Sequence, residues 1–164
     1  MKKNLLLVMG AALMLTVGLG SCDNEDNESA KASGVQVKNF ANSGCKKAGT
    51  ARTRGSVFPE HPEYFEYKAI DDGYLSVSHV NAAFNCEPGE LKIQATLEGN
   101  IIKILETEEQ SFANCICPYD LYCEVGPLSD GDYTVIICKG SYEYEHVRFN
   151  ISYKKGLSGK FEQE

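Results

Sequence analysis

The chain is 164 residues long, with 16 basic against 23 acidic side chains and a formal net charge of −7 at pH 7. That balance excludes the basic footprint of a nucleic-acid binder. The length fits one domain with a core of its own, so the seven cysteines are not needed to hold a mini-protein together.

The chain begins with what reads as export machinery. Lys2 and Lys3 form a positive start, and Leu5 to Leu19 form an apolar stretch too short for a membrane span; residues 1–21 are therefore expected to be a lipoprotein signal peptide. Leu19-Gly20-Ser21-Cys22 has the form of a lipobox, an aliphatic residue and two small ones before a cysteine that is diacylated and becomes the new N-terminus. Cys22 is the expected lipid anchor, with an ordinary secretory cleavage site as the rival reading. One acyl chain holds a protein marginally and two make the attachment stable, so the expected partner is the membrane, reached through the N-terminal lipid. Removing residues 1–21 takes away two lysines and no acid, leaving 14 basic against 23 acidic residues and a net −9, which argues against a second, electrostatic grip on anionic lipid. Residues 22–34 run on as polar, acidic sequence without an aromatic or branched aliphatic side chain, the composition of a disordered tether. Asp23-Asn24-Glu25-Asp26 resembles the acidic export signal of Bacteroidetes surface lipoproteins. That resemblance implies placement in the outer membrane facing the cell surface, the periplasmic face being the alternative.

Residues 35–164 read as one folded domain. Val35, Val37 and Phe40 fit an edge strand, and NSGCKKAGTARTRGS after them is a basic loop carrying Cys45, of a length usually functional or disordered. Beyond the loop, period-two alternation recurs and helical periodicity hardly appears. In LKIQATL, Leu91, Ile93, Ala95 and Leu97 share one face, and in VRFNISYK, Val147, Phe149, Ile151 and Tyr153 do the same. Further strands are predicted at Tyr64 to Ala69, Tyr74 to Val80, Ile101 to Glu106, Leu121 to Val125 and Tyr133 to Lys139. Turn signals separate them at Asp72-Gly73, Pro88-Gly89, Gly99-Asn100 and Asp130-Gly131, and Glu98-Gly99-Asn100 reads as a tight hairpin. About seven short strands without strand–helix alternation predict an all-β fold, an antiparallel, immunoglobulin-like β-sandwich.

Leu128 to Val135 resembles the L-x-x-G-x-Y-x-V pattern at the corner before a late strand of immunoglobulin-like and fibronectin-like domains. The resemblance implies that the Tyr133 hydroxyl ties the arch to its own backbone. The rival is an ordinary hairpin at Asp130-Gly131. A hairpin sets Cys123 opposite Cys138; a corner that crosses between sheets turns Tyr133, Val135 and Ile137 inward and leaves Cys138 on the other face.

Six cysteines follow Cys22: Cys45, Cys86, Cys115, Cys117, Cys123 and Cys138. An even number outside the cytoplasm favours disulfides. Cys115 and Cys117 sit at the long limit of reach for each other in an extended chain, so each needs a distant partner. Cys86 and Cys45 are the natural candidates, which leaves Cys123 with Cys138. The alternative is a soft metal such as copper(I) held by Cys86, Cys115 and Cys117 with His79, Cys45 or Cys123. His79 lies on an apolar face beside Leu75 and Val77, where a lone histidine is usually a hydrogen-bonded core residue. Thiol redox catalysis lacks its Cys-x-x-Cys at a helix start.

No catalytic motif stands out. Ser43-Gly44-Cys45-Lys46 matches S-x-x-K by chance, without the helix and partner motifs that such enzymes need. His61, His79 and His146 are scattered in sequence, and Glu106, Glu108 and Glu109 read as a solvated strand end. The chain is not expected to be an enzyme, and nothing in it calls for a cofactor.

FNCEPGELKI and CICPYDLYCEVGPLSDGDYTV together resemble an uncharacterised family of small Bacteroidetes lipoproteins. The shared features are the lipobox, the Cys86-Glu87-Pro88-Gly89 turn, a Cys-x-Cys-x-Tyr-Asp-Leu segment and the L-x-x-G-x-Y corner, over about Tyr64 to Lys139. The resemblance implies an architecture without an activity. It further implies that Cys86 with Cys115 or Cys117 is the family's shared bond and that Cys123 and Cys138 are an extra, local pair. The expectation is a lipid-anchored, non-enzymatic binding or structural module of the envelope, with an unknown protein or glycan ligand and no nucleic acid. Candidate ligand surfaces are the basic loop from Lys46 to Arg54 and the aromatic stretch Tyr142 to Tyr144. The second expectation is a thiolate metal binder, and the third an inhibitor of a protease or host enzyme.

Overall fold

The computed structural model describes residues 34–46, 62–109, 113–140 and 143–162. The expected signal peptide, Cys22, almost all of the acidic tether, His61, the loop past Lys46 and Tyr142 lie outside these residues. No helix among the described residues is long and apolar enough to cross a membrane.

Nine strands form among the described residues: β1 (Gln36–Asn42), β2 (Tyr64–Ala69), β3 (Leu75–Asn85), β4 (Leu91–Glu98), β5 (Ile101–Glu108), β6 (Ile116–Gly126), β7 (Gly131–Lys139), β8 (Tyr144–Tyr153) and β9 (Ser158–Glu162). They make a five-stranded sheet in the order β1-β6-β3-β2-β9 and a four-stranded sheet in the order β4-β5-β7-β8. The result is the β-sandwich that alternation predicts, with two more strands than the seven expected. Of these two, β1 takes in Val37 and Phe40 of the expected edge strand, while β9, five residues at the other edge of the same sheet, has no counterpart among the expected strands. Neighbours are antiparallel except β5 and β7, which run parallel. After β5 the chain makes β6 in the other sheet and then returns, so β7 enters beside β5 in the same direction.

Alternation sets the core. Leu75 pairs with Val125 and Val77 with Cys123 across β3 and β6, and all four side chains are buried in one cluster with Ile102, Ile104, Val135, Ile137, Val147, Phe149 and Ile151 of the facing sheet. A second, smaller cluster of Ala82, Phe84, Leu91, Cys117, Tyr119 and Leu121 fills the far end of the β3–β6 ribbon. Between the two clusters, the β3–β6 register slips between His79 and Ala82. Asn81 takes φ 61° there, a left-handed conformation that asparagine tolerates better than most residues. The extra residue moves the inward positions of β3 from 75, 77 and 79 to 82 and 84. Without that bulge Ala83 rather than Phe84 would face the core.

Between β6 and β7 the chain crosses from one sheet to the other. The Tyr133 hydroxyl donates to the Ser129 carbonyl at 3.0 Å, tying the arch to its own backbone. The Leu128 amide donates to the Gly73 carbonyl at 2.7 Å. Gly73 has φ +77°, and a Cβ there would sit 2.9 Å from the Leu128 carbonyl oxygen, so the close approach of the two turns requires glycine. The crossing corrects the expected Cys123–Cys138 pair. Cys123 lies in the core on the inner face of the five-stranded sheet, while Cys138 is on the other sheet beside Ile136, facing a groove on its outer side. Both thiols are free and buried.

Candidate functional site

Two features gather at the end of the sandwich where β3 and β5 finish and β6 and β8 begin. The outer one is a pair of disulfides. Cys45, after β1, bonds Cys117 of β6, and Cys86, after β3, bonds Cys115, just before β6. The two cysteines of the Cys-x-Cys segment thus take separate distant partners, Cys86 finding the nearer in sequence. Lys46, next to Cys45, pairs with the Asp120 carboxylate and donates to the Asn81 side-chain oxygen at 2.9 Å. Ser43 accepts from the Asp120 amide at 2.9 Å, so Ser43 and Lys46 both anchor residues 43–46 on β6 and do not form a nucleophile–base pair.

The thiolate metal site expected from Cys86, Cys115, Cys117 and His79 does not assemble. All three cysteines are consumed in disulfides. His79 stands seven positions before Cys86 along an extended strand, a span on the order of 20 Å. The Cys45, Cys86 and Cys117 sulfurs do lie within 4.8 Å of one another, so the two disulfides are neighbours in space.

The inner feature is a chain of alternating carboxylates and imidazoles. His79 is 1 % exposed and follows Leu75 and Val77 on the inner face of β3. Its Nδ1 lies 2.9 Å from both carboxylate oxygens of Glu106. Glu106 occupies the inward phase of β5, after Ile102 and Ile104, and is 2 % exposed; it is not the solvated strand end expected from sequence. A carboxylate on one sheet therefore faces a histidine on the other, across the core.

On its far side the His79 Nε2 lies 2.5 Å from Glu63 Oε1, and the His146 Nε2 lies 2.6 Å from that same oxygen. Glu63 directly precedes β2. Its approach is fixed because the Asn81 side-chain amide donates to the Pro62 carbonyl at 2.9 Å. His146 owes its position to a second irregularity. Ile137 pairs with Val147 and Cys138 with Glu145, which leaves His146 as the unpaired extra residue of β8. Strict alternation would send it outward with Arg148; the bulge turns it toward His79, with ring centroids 5.9 Å apart. Bulges that redirect a side chain occur preferentially beside functional sites. Phe65 covers the His79 ring at 4.1 Å between centroids.

The electrostatics follow from this enclosure. Burial by itself would raise the Glu63 pKa. The hydrogen bonds from His146 and His79, with the charges of His79 and Lys139, override it and hold the carboxyl well below the usual range. Burial would likewise lower the His79 pKa, but the charge and hydrogen bond of Glu106 and the bond to Glu63 outweigh it and raise it. His79 thus stands between two carboxylates, Glu106 of β5 on one side and Glu63 ahead of β2 on the other. Cys123, in the core nearby, is pushed up to about 12 by burial and by the charges of Glu106 and Glu124, which makes it an inert thiol.

Sequence reasoning placed His79 correctly in a hydrogen-bonded core position. It missed Glu63, Glu106 and His146 as its company. The signal for Glu106 was the phase of Ile102 and Ile104; for His146 there was none, because alternation points the wrong way. No family model matches the sequence, and no curated protein or solved structure matches it either.

Proposed function

We propose that this chain is a lipid-anchored protein of the bacterial cell envelope, held at the outer membrane through Cys22, whose β-sandwich is a non-enzymatic binding or structural module. The observation that carries this reading is the pair of disulfides, Cys45–Cys117 and Cys86–Cys115. Disulfides persist in extracellular or periplasmic compartments and are rare in a reducing cytoplasm. The lipobox around Cys22 and the resemblance to small Bacteroidetes lipoproteins support the anchor, and the acidic run after Cys22 supports outward placement. Ligand contact is assigned to the disulfide-braced end. The strands flanking residues 47–61 and 141–142 end there, and Tyr144 at that end is 70 % exposed. A protein or glycan surface is the ligand class.

The test is metabolic labelling of cells with an alkyne fatty acid. The full chain takes up label and Cys22→Ala does not. Protease treatment of intact cells then removes a surface-facing domain and spares a periplasmic one. An unlabelled wild-type chain, or a wild-type chain recovered with four free thiols from Cys45, Cys86, Cys115 and Cys117, would sink the reading.

A further inference from the structure

We propose that His79, His146 and Glu63 form a binding site for one divalent transition-metal ion, zinc by the chemistry of its donors, with Glu106 orienting His79 from behind. The inference goes beyond envelope anchoring and does not depend on it.

Three donor atoms, two imidazole nitrogens and a carboxylate oxygen, lie within 4.8 Å of one another. They come from three separate parts of the chain: the inner face of β3, the bulge of β8 and the residue ahead of β2. Their convergence is therefore a product of the tertiary fold, not of sequence proximity. Both Nε2 atoms aim at the same Glu63 oxygen, and a cation between them meets all three donors at once. Zinc binds nitrogen and oxygen at about 2.0–2.2 Å in a tetrahedral arrangement, which sets donors about 3.3 Å apart. The present separations of 2.5 and 2.6 Å need to open by less than about 1 Å. A turn of the part-exposed Glu63 carboxylate supplies that.

The surroundings favour a metal over a merely structural knot. A ligating histidine usually donates its other N–H to a carboxylate, which fixes the tautomer and strengthens the ligand. Glu106 stands in that place, 2.9 Å from His79 Nδ1 through both oxygens. Burial is graded across the cluster. The His79 and Glu106 side chains are 1 % and 3 % exposed, while those of Glu63 and His146 are each 26 % exposed. An ion can thus enter from outside and keep a position open to water, as three-ligand zinc sites do. The charge also balances: two carboxylates, Glu63 and Glu106, meet one dication. Two nitrogens and one oxygen suit zinc; calcium and magnesium prefer oxygen alone, and copper(I) prefers sulfur.

The experiment titrates zinc chloride into the full chain, purified with its disulfides intact and stripped by chelator, with calorimetry for affinity and mass spectrometry for stoichiometry. One zinc per chain is expected, with micromolar or tighter affinity. Glu63→Gln and His146→Gln each lower that affinity at least tenfold, and Glu106→Gln lowers it about 10- to 100-fold without changing the stoichiometry. Thermal melts without metal verify that each variant is folded, and the His146 and Glu63 changes are chosen because these side chains are part-exposed. Cobalt(II) in place of zinc gives visible bands of a four-coordinate nitrogen and oxygen site, without thiolate charge transfer. No stoichiometric zinc, binding that survives both ligand substitutions in folded protein, or a thiolate band that moves the ion to the cysteines would each overturn the proposal.

Discussion

On β3, Leu75 and Val77 enter the core against Val125 and Cys123, among the isoleucines of the facing sheet. His79, two residues further along the same face, enters it against Glu106. One strand and one phase of alternation thus lead to two kinds of interior. The apolar half gains stability simply by leaving water, on the order of 25 cal/mol per Å². The ionic half must first overcome the cost of removing charges from water, and a well-packed apolar pair of similar volume often does as well or better. Stability alone explains Leu75 and Val77; it does not explain why His79 and Glu106 are retained.

The sharpest way to break this comparison is to take one partner away. Glu106→Ala leaves His79 facing the core without its carboxylate, and we expect a loss of about 3–5 kcal/mol in urea unfolding of the chelator-treated chain. Replacing both, as His79→Leu with Glu106→Leu, is expected to return to within about 2 kcal/mol of the parent. That variant cannot bind zinc as the parent does. If the single change costs less than about 1 kcal/mol, the pair is not ionised and the contrast between the two halves fails.

The disulfides come next in size, and they brace the ionic end. Removing either bond as a Cys→Ser pair is expected to cost about 2–4 kcal/mol. Cys45–Cys117 spans 72 residues and Cys86–Cys115 spans 29, so loop-closure entropy makes the first worth about 0.8 kcal/mol more. Urea midpoints of the two double-serine variants decide this, and the reverse order would show that the wider loop is already restrained in the unfolded chain. In the intact protein, thiol titration is expected to find Cys123 and Cys138 reactive only after unfolding, since both are buried.

pH separates the two halves more gently. Glu63 is held below its ordinary 4.5, so its contribution is present above that value and is lost as pH falls toward the lowered pKa. His79 is raised above its ordinary 6.5, so its contribution is full below 6.5 and is lost as pH climbs through the raised pKa. The metal-free chain should therefore be most stable between about 4.5 and 6.5. Melting temperatures across a buffer series test this, with Glu63→Gln flattening the acid limb. Ile104→Val, in the apolar half, should leave the shape of the profile unchanged.

Much of the sandwich was legible because period two is a property of the strand itself. Val147, Phe149, Ile151 and Tyr153 face inward as their spacing requires, and so do Val135 and Ile137. What the sequence concealed lies where the period breaks. The slips beside Asn81 and at His146 each add a residue to one strand only. A single strand cannot announce this, since the mismatch exists only relative to its partner. In the candidate site the same break hides His146, which sits at one of those slips and which alternation would send outward. Glu106 has the inward phase of Ile102 and Ile104, but next to Glu108 and Glu109 it reads as part of a solvated strand end. Pairing of the cysteines was half legible. Spacing ruled out Cys115 with Cys117, but the fate of Cys123 and Cys138 depended on whether the chain turns back or crosses over after β6.

That crossing carries the smallest expected effect. Tyr133→Phe removes the hydroxyl that donates to the Ser129 carbonyl and leaves the ring against Tyr153, 6.4 Å away between centroids. A neutral hydrogen bond of this kind contributes about 0.5–1.5 kcal/mol, and the freed carbonyl is at an exposed arch where water can replace the donor. A loss near 1 kcal/mol by urea unfolding is expected, with zinc affinity unchanged, because the arch lies at the opposite end of β7 from Lys139 and the ionic cluster. A change in zinc affinity would mean that the corner sets the register of β7 against β8, and with it the bulge that presents His146.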